Sequence, residues 1–274
     1  MDTPDNVITS EEINLYIQNI PSAPTVVRQA LQYARAGDLI KAAKSAEEDP
    51  ALRHYLKILV NRPLYGFKNE VSDVSQIFGI LGVSATQQCL YNYLLSILTP
   101  KKWVLFSLTN HQFYDLQAAL SQRWEKILTH LKIDNKEIRS AITLIPATII
   151  VCEALFSAHK NEVNQLRSVK ALDYNTILHR LSTYDLFSLA GTIGKLWEMD
   201  ELSILLIESS SGLKEEIPSK IKTLAQWIHL LLFYELSQSI YVMAGLNEFI
   251  DFQIDFVEDI YEEFTEVMGY SCEQ

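Results

Sequence analysis

Cysteine is scarce in this chain. The three residues, Cys89, Cys152 and Cys272, lie far apart and form no CxxC pair. Neither a zinc cluster nor a disulfide framework is signalled, and the usage fits a reducing, cytoplasmic setting. Glycine and proline are also few, 9 and 8 in 274 residues, which argues against low-complexity linkers. No internal repeat is evident. The longest apolar stretch, 223–246, carries Gln226, His229, Glu235 and Gln238. A membrane span needs about 20 residues nearly free of such groups, so the stretch reads as a buried helix and no membrane is implied. The opening MDTPDNVITSEE is polar and acidic, unlike a secretory signal. No stretch combines strand alternation with a hairpin signal.

Positive charge is missing where negative charge is dense. The net charge is −11, and the residues from Thr223 to Gln274 include no Lys or Arg against ten Asp and Glu. The rest of the chain is close to neutral, so no broad basic face is available for a phosphate backbone. Nucleic acid is therefore not an expected partner.

What remains is an apolar content of 48% with 21% charged residues, enough to build a sizeable core. Helical signals run almost end to end. Thr9 and Glu12 match a capping box before Ile13, Ile17 and Ile20. PSAP, Pro21 to Pro24, separates that helix from one ending at Gly37, and Asp38 caps the next. Ser72 and Asp73 start a helix that Gly82 stops, and Ser84 and Gln87 match a second capping box. Further helices are predicted over about 110–131, 135–158, 173–181, 184–197 and 200–208, with Pro146 kinking or splitting the second. Ser209 to Lys220 reads as an exposed loop. Two long helices, 218–243 and 246–268, finish the chain. The class is all-α.

AEEDPALRHYLKILVNRPLYGF, Ala46 to Phe67, is the densest signal. Asp49 is a natural N-cap, and Pro50 sits where its missing N–H costs nothing. Leu52, Leu56 and Leu59 share a helical face. Asn61 and Pro63 end the run. The following loop is richer than a connector needs. It reads as a binding loop or as a structural lock, and the lock is favoured. On that reading Asn61 caps the helix or bonds across the loop, Tyr65 and Phe67 cover the core, and Gly66 supplies a positive φ. Asp49, Pro50, Asn61, Tyr65 and Gly66 are the candidate signature or partner-binding residues.

The segment Ile20 to Leu98 resembles the HDOD family, bacterial signalling domains related to metal-dependent HD hydrolases. IPSAPTVVRQAL, EEDPALRHYLKILVNRPLYG and VSQIFGILGVSATQQCLYNYLL carry the resemblance in order and spacing. Arg62 and Pro63 depart from it, since the family usually has Ser and a small residue after the Asn. TLIPATIIV, Thr143 to Val151, places Ile145 and Pro146 where the hydrolases carry a His–Asp pair. AGTIGKLWEMDELSILLIESSS puts Trp197 on a frequent Trp, and Ser210 and Ser211 near a metal-binding His. The resemblance implies an HD-hydrolase-like helical bundle over 1–215, with signature 20–98, and an acidic helical extension over 216–274. It implies a non-enzymatic module that signals by binding other proteins, in circuits of the two-component, chemotaxis or cyclic-dinucleotide kind, with no cofactor and with self-association open. Two alternatives stand beside it: a vestigial pocket sensing a nucleotide-type signal, or an HD-type phosphohydrolase.

The residues speak against hydrolysis on their own terms. None of His54, His111, His130, His159, His179 and His229 is followed by Asp, and HExxH is absent. Each reads as a surface or satisfied core residue. GTIGK, Gly191 to Lys195, lacks phosphate-loop spacing and reads as a close helix–helix contact. No nucleophile elbow is present. In the acidic C-terminal run, Phe249, Phe252, Phe256, Ile260, Phe264 and Val267 form one helical stripe, and Ile250, Ile254, Val257 and Tyr261 a second. The stripes predict a helix packed between two neighbours, or a docking surface for a basic or apolar partner.

Overall fold

The computed structural model describes residues 9–61, 67, 69–170, 172–182, 184–213, 216–247 and 249–269, and among them there is no strand. Tyr65, Gly66, Arg62, Pro63 and Cys272 lie outside the described residues. The chain divides into two compact units, Pro21–Leu98 and the pair of segments Met1–Ile20 and Thr99–Gln274. The acidic segment 216–274 is part of the latter unit.

Helix α1, Ser10–Gln18, belongs to the larger unit and starts with the Thr9–Glu12 capping box. The smaller unit holds α2, Thr25–Arg35, and α3, Leu39–Ala46, which opens with Asp38 accepting from the Lys41 N–H. They pack on each other and on α5, Val74–Leu98, as does α4, Pro50–Val60. Alanines 30, 34, 42, 43 and 46 are fully buried, so α2 and α3 approach closely. In α4 the buried line is Leu52, Leu56 and Val60; Leu59, expected there, is half-buried. A step of four suits the inward face of a short helix better than a step of three. Helix α5 breaks at Gly82, whose φ of 71° and ψ of 177° are non-helical, and Ser84 and Gln87 fall inside it.

The larger unit continues with α6, Asn110–His130, α7, Lys136–Ala141, and α8, Leu144–Phe156. The predicted split near Pro146 occurs at 142–143, leaving Pro146 in the first turn of α8, where a missing N–H is tolerated. Every residue of α8 except Ala154 is buried. Helices α9, Lys160–Lys170, α10, Tyr174–Leu181, α11, Leu186–Leu196, and α12, Glu201–Ser209, follow. Then come α13, Ser219–Leu236, α14, Ser239–Met243, α15, Ile254–Val257, and α16, Tyr261–Met268. Helix α11 packs on α8 and α12, and α13 on α6, α12, α15 and α16. A stretch with the length and apolar composition of a membrane span, Lys136–Val169, has 83% of its most apolar window buried inside the fold.

Three expectations are corrected. The run 246–268 is not one helix: 249–253 is irregular, and α15 and α16 are joined by a 3₁₀ turn at Glu258–Ile260. The cause is competition for backbone groups. His229 Nε2 accepts the Gln253 N–H at 3.1 Å, and Gln226 Nε2 donates to Phe256 O at 2.6 Å. Both ties come from α13 and hold the segment across it. The second stripe therefore does not form a face: Val257 and Ile250 are buried, whereas Ile254 and Tyr261 are 65% and 53% exposed. Next, the single helix over 218–243 is interrupted at 237–238, where Ser237 Oγ bonds back to Phe233 O. Finally, Ser209, Ser210 and Ser211 are buried, not loop-exposed.

Candidate functional site

The signature of the smaller unit is a set of bonds that hold loop and helix ends in place. Asp49 Oδ1 accepts from the Ala51 and Leu52 N–H groups at 2.8 and 3.1 Å. Its other oxygen accepts from the Tyr93 hydroxyl at 3.1 Å, which ties the start of α4 to α5. Burial, with the Asp49 charge adding to it, pushes the Tyr93 hydroxyl up to about 12, so it stays a donor at neutral pH. Pro50 occupies the first turn as expected.

At the other end of α4, Asn61 Nδ2 donates to Lys57 O at 2.8 Å and to Val71 O at 2.7 Å, while Oδ1 accepts the Val71 N–H at 2.8 Å. The amide thus makes the pair of bonds that a neighbouring strand would make, and ties the end of α4 to Val71. A surface ion pair, Lys57 Nζ to Glu70 Oε1 at 2.9 Å, spans the same gap. Phe67, expected over the core, is 43% exposed. Sequence reasoning identified Asp49, Pro50 and Asn61 but missed Tyr93 and Val71. Their partnership crosses 44 and 10 residues and leaves no local pattern.

In the larger unit, the segment that the sequence resemblance sets against the hydrolase His–Asp pair is the first turn of α8. Ile145 and Pro146 are buried, and neither side chain offers an atom to a metal ion. Among the described residues no three His, Cys, Asp or Glu side chains converge on one point. The described residues at this segment do not fit a divalent metal of the HD type. Beside α8, the helices close tightly. A Cβ at Gly194 would stand 2.9 Å from Ile204 Cγ1 and 3.2 Å from Leu144 Cδ1, and one at Gly191 would run into the Glu208 side chain. GTIGK is therefore the glycine face of an α11–α12 contact.

The titratable groups buried in this interior are held by named partners or apolar packing, whereas Ser209 Oγ and Trp227 Nε1 are buried without a hydrogen bond among the described residues. His229 on α13 is fully buried. Its Nδ1 donates to Ser210 O at 2.8 Å and its Nε2 accepts from Gln253, a set of partners that fixes the neutral imidazole. Burial holds its pKa below the ordinary histidine value, with the Ser210 carbonyl opposing. Phe187 and Phe252 stack on the ring and Phe256 meets it edge-on. The other histidines are exposed, apart from the half-buried His159. Glu153, on the far end of α8, is buried and accepts from the successive N–H groups of Val104, Leu105 and Phe106, which compensates its charge. Glu235 is buried against Arg123; burial raises its pKa, and the guanidinium opposes the shift. Cys152 is buried, and burial pushes its thiol far up, which disfavours the thiolate. None of these groups was singled out by local sequence pattern except His229, whose satisfied-core reading the geometry matches.

No family profile and no curated protein matches the chain. Solved structures do. An HDOD domain protein of unknown function from Geobacter sulfurreducens superposes with a TM-score of 0.57 at 14% identity, covering 94% of this chain and 95% of that one. A protein from Marinobacter aquaeolei VT8, provisionally named for signal transduction, gives 0.63 at 15% identity over 94% of this chain and 62% of that one. One from Shewanella amazonensis SB2B, provisionally named a phosphohydrolase, gives 0.63 at 12% identity over 93% and 96%. At these identities the likeness is one of fold: the chain has the all-α, HDOD-like architecture.

Proposed function

We propose, on the premise of this HDOD-like fold, that the chain is a non-catalytic signal-transduction module that acts by binding other proteins. One observation carries the reading. Ile145 and Pro146, which the sequence resemblance sets where HD hydrolases carry their His–Asp pair, lie within a helix that is buried on nearly every side. A metal-activated water needs ligating side chains and an open position, and this interior supplies apolar packing instead. The remaining buried histidine has both ring nitrogens engaged by backbone groups. The Marinobacter neighbour's name supports a signalling role. The Shewanella neighbour's name supports hydrolysis, and the residues of this chain weigh against it.

The test is capture of partners from a lysate of the source cell with the full-length chain, followed by reconstitution from purified components. The expected result is a complex of fixed stoichiometry that forms without added metal or nucleotide. Failure to reconstitute a complex with any captured protein overturns the interaction reading.

A further inference from the structure

The larger unit carries an open groove of about 570 Å³ lined by Phe233, Phe252, Ile254, Val257, Tyr261 and the acids Glu258, Asp259 and Glu262. Its floor is a stacked aromatic pair, Phe233 and Phe252, with centroids 4.1 Å apart. The volume falls within the range of real ligand sites. We propose that this groove is the docking site for a segment of a partner protein that presents arginine or lysine beside an apolar side chain. The assignment rests on the interaction reading above and names the surface and chemistry that serve it.

Charge complementarity selects the occupant. Asp259 is held by Gln226 Nε2 at 2.8 Å, but among the described residues no cation pairs with Glu258 or Glu262. No Lys or Arg occurs anywhere from 223 to 274, so this segment provides no counter-charge of its own. An acidic rim over aromatic faces suits a guanidinium, which takes carboxylates as a fork and rings by cation–π contact. Arginine and aromatic residues are also the side chains that interfaces enrich. The apolar part of the occupant is set by Ile254 and Tyr261, large side chains left 65% and 53% exposed at the groove edge. A small free cation would leave both uncovered. A polypeptide covers them.

The irregular stretch 249–253 explains why the groove exists. Had the run 246–268 been one helix, its apolar stripes would have turned onto neighbours. The bonds from His229 and Gln226 instead hold the chain across α13, and Phe252 comes to lie on Phe233 with the acids of the 3₁₀ turn above.

The experiment titrates a capped peptide of alternating leucine and arginine into the full-length chain, reading the isoleucine methyl spectrum. Its glutamate counterpart and free arginine amide are the controls. The expected result is a saturable shift of the Ile254 methyl, with the glutamate peptide about tenfold or more weaker, and weakening with added salt as screening predicts. Glu258→Lys with Glu262→Lys should reduce the affinity by about tenfold or more, and Ile254→Asp, which lacks the reporter methyl and is read by calorimetry, should do so separately; all three positions are exposed, so the fold is retained. Equal binding of both peptides, undiminished binding by these variants, or binding of arginine amide as tight as that of the peptide overturns the proposal. A reconstituted partner that binds wild type and double variant alike overturns the groove and leaves the interaction reading standing. Peptide uptake by a chain that reconstitutes with no protein leaves the groove standing and overturns that reading.

Discussion

Asn61 holds Val71 by both of its backbone groups, donating to the carbonyl at 2.7 Å and accepting the N–H at 2.8 Å. A side chain here replaces a missing strand. Each such bond contributes about 1 kcal/mol net, and leaving the partners unmade costs more. Asn61→Ala should lower stability by about 2–3 kcal/mol in urea unfolding, and should speed hydrogen exchange at the Val71 amide. Asn61→Asp should do no better, because it turns acceptors toward the carbonyls of Lys57 and Val71. Unchanged exchange at Val71 would remove the lock.

The two glycines of GTIGK separate by what a methyl group would strike. At Gly194 it would meet Ile204 mid-side-chain and Leu144, neither of which can swing clear of a packed interface. Overpacking of this kind costs about 1–3 kcal/mol, against about 0.5–1 gained in helix propensity. Gly194→Ala should therefore lose about 1 kcal/mol in thermal unfolding. At Gly191 the obstacle is the Glu208 side chain from Cγ outward, a flexible chain that must shift from its ion pair with Lys195 to make room. Gly191→Ala should cost less than Gly194→Ala, and a larger loss at Gly191 would contradict the packing account.

Glu235 lies 2% exposed beside Arg123, which is 35% exposed. Removing one partner of a buried pair leaves an uncompensated charge. Since the arginine is partly in solvent, Arg123→Ala should cost about 2–3 kcal/mol at pH 7, toward the low side for such a cut. Burial raises the Glu235 pKa even with the arginine present, and without it the rise is larger. The penalty of the variant should then shrink as pH falls toward 5 and the carboxyl takes up a proton. A penalty independent of pH would show that lost packing, not charge, is responsible.

His229 makes the opposite contribution. Its folded pKa is depressed by burial, so between the folded and the unfolded value, the latter about 6.5, the unfolded chain binds more protons. Stability is then full above the unfolded value, falls as pH drops below it, and levels once the folded value is passed. Urea midpoints from pH 7.5 to 5 should decline in the wild type. The decline should be smaller in His229→Gln, which cannot charge. Parallel curves for the two proteins would assign the pH dependence elsewhere.

What the sequence revealed and what it hid divide along physical lines. Caps are local and were legible: Thr9 with Glu12, Asp38, and Asp49 with Pro50 all act as their spacing predicts. The close contact at GTIGK was legible because two glycines three apart can share a helix face. Helix α9 was not, since KNEVNQLRSVK holds one fully buried residue, Val163, too little for a periodic signal. The break at 249–253 was hidden because its cause is His229 and Gln226 on another helix; the first stripe is still buried at Phe249, Phe256, Ile260 and Phe264, without one continuous helix to carry it, while the second is split. The long-range partners Tyr93, Val71 and Glu153 leave no trace in local pattern, so the signature could be located but its bonding could not.

The most direct measurement is turnover. The full-length chain is incubated with Mn²⁺, Fe²⁺ or Mg²⁺ and with aryl phosphate mono- and diesters or cyclic dinucleotides, and product is followed against a metal-only blank. A module whose interior offers Ile145 and Pro146 in place of ligands should give no rate above that blank at any protein concentration. A rate that rises in proportion to protein and disappears with chelator would contradict the non-catalytic account.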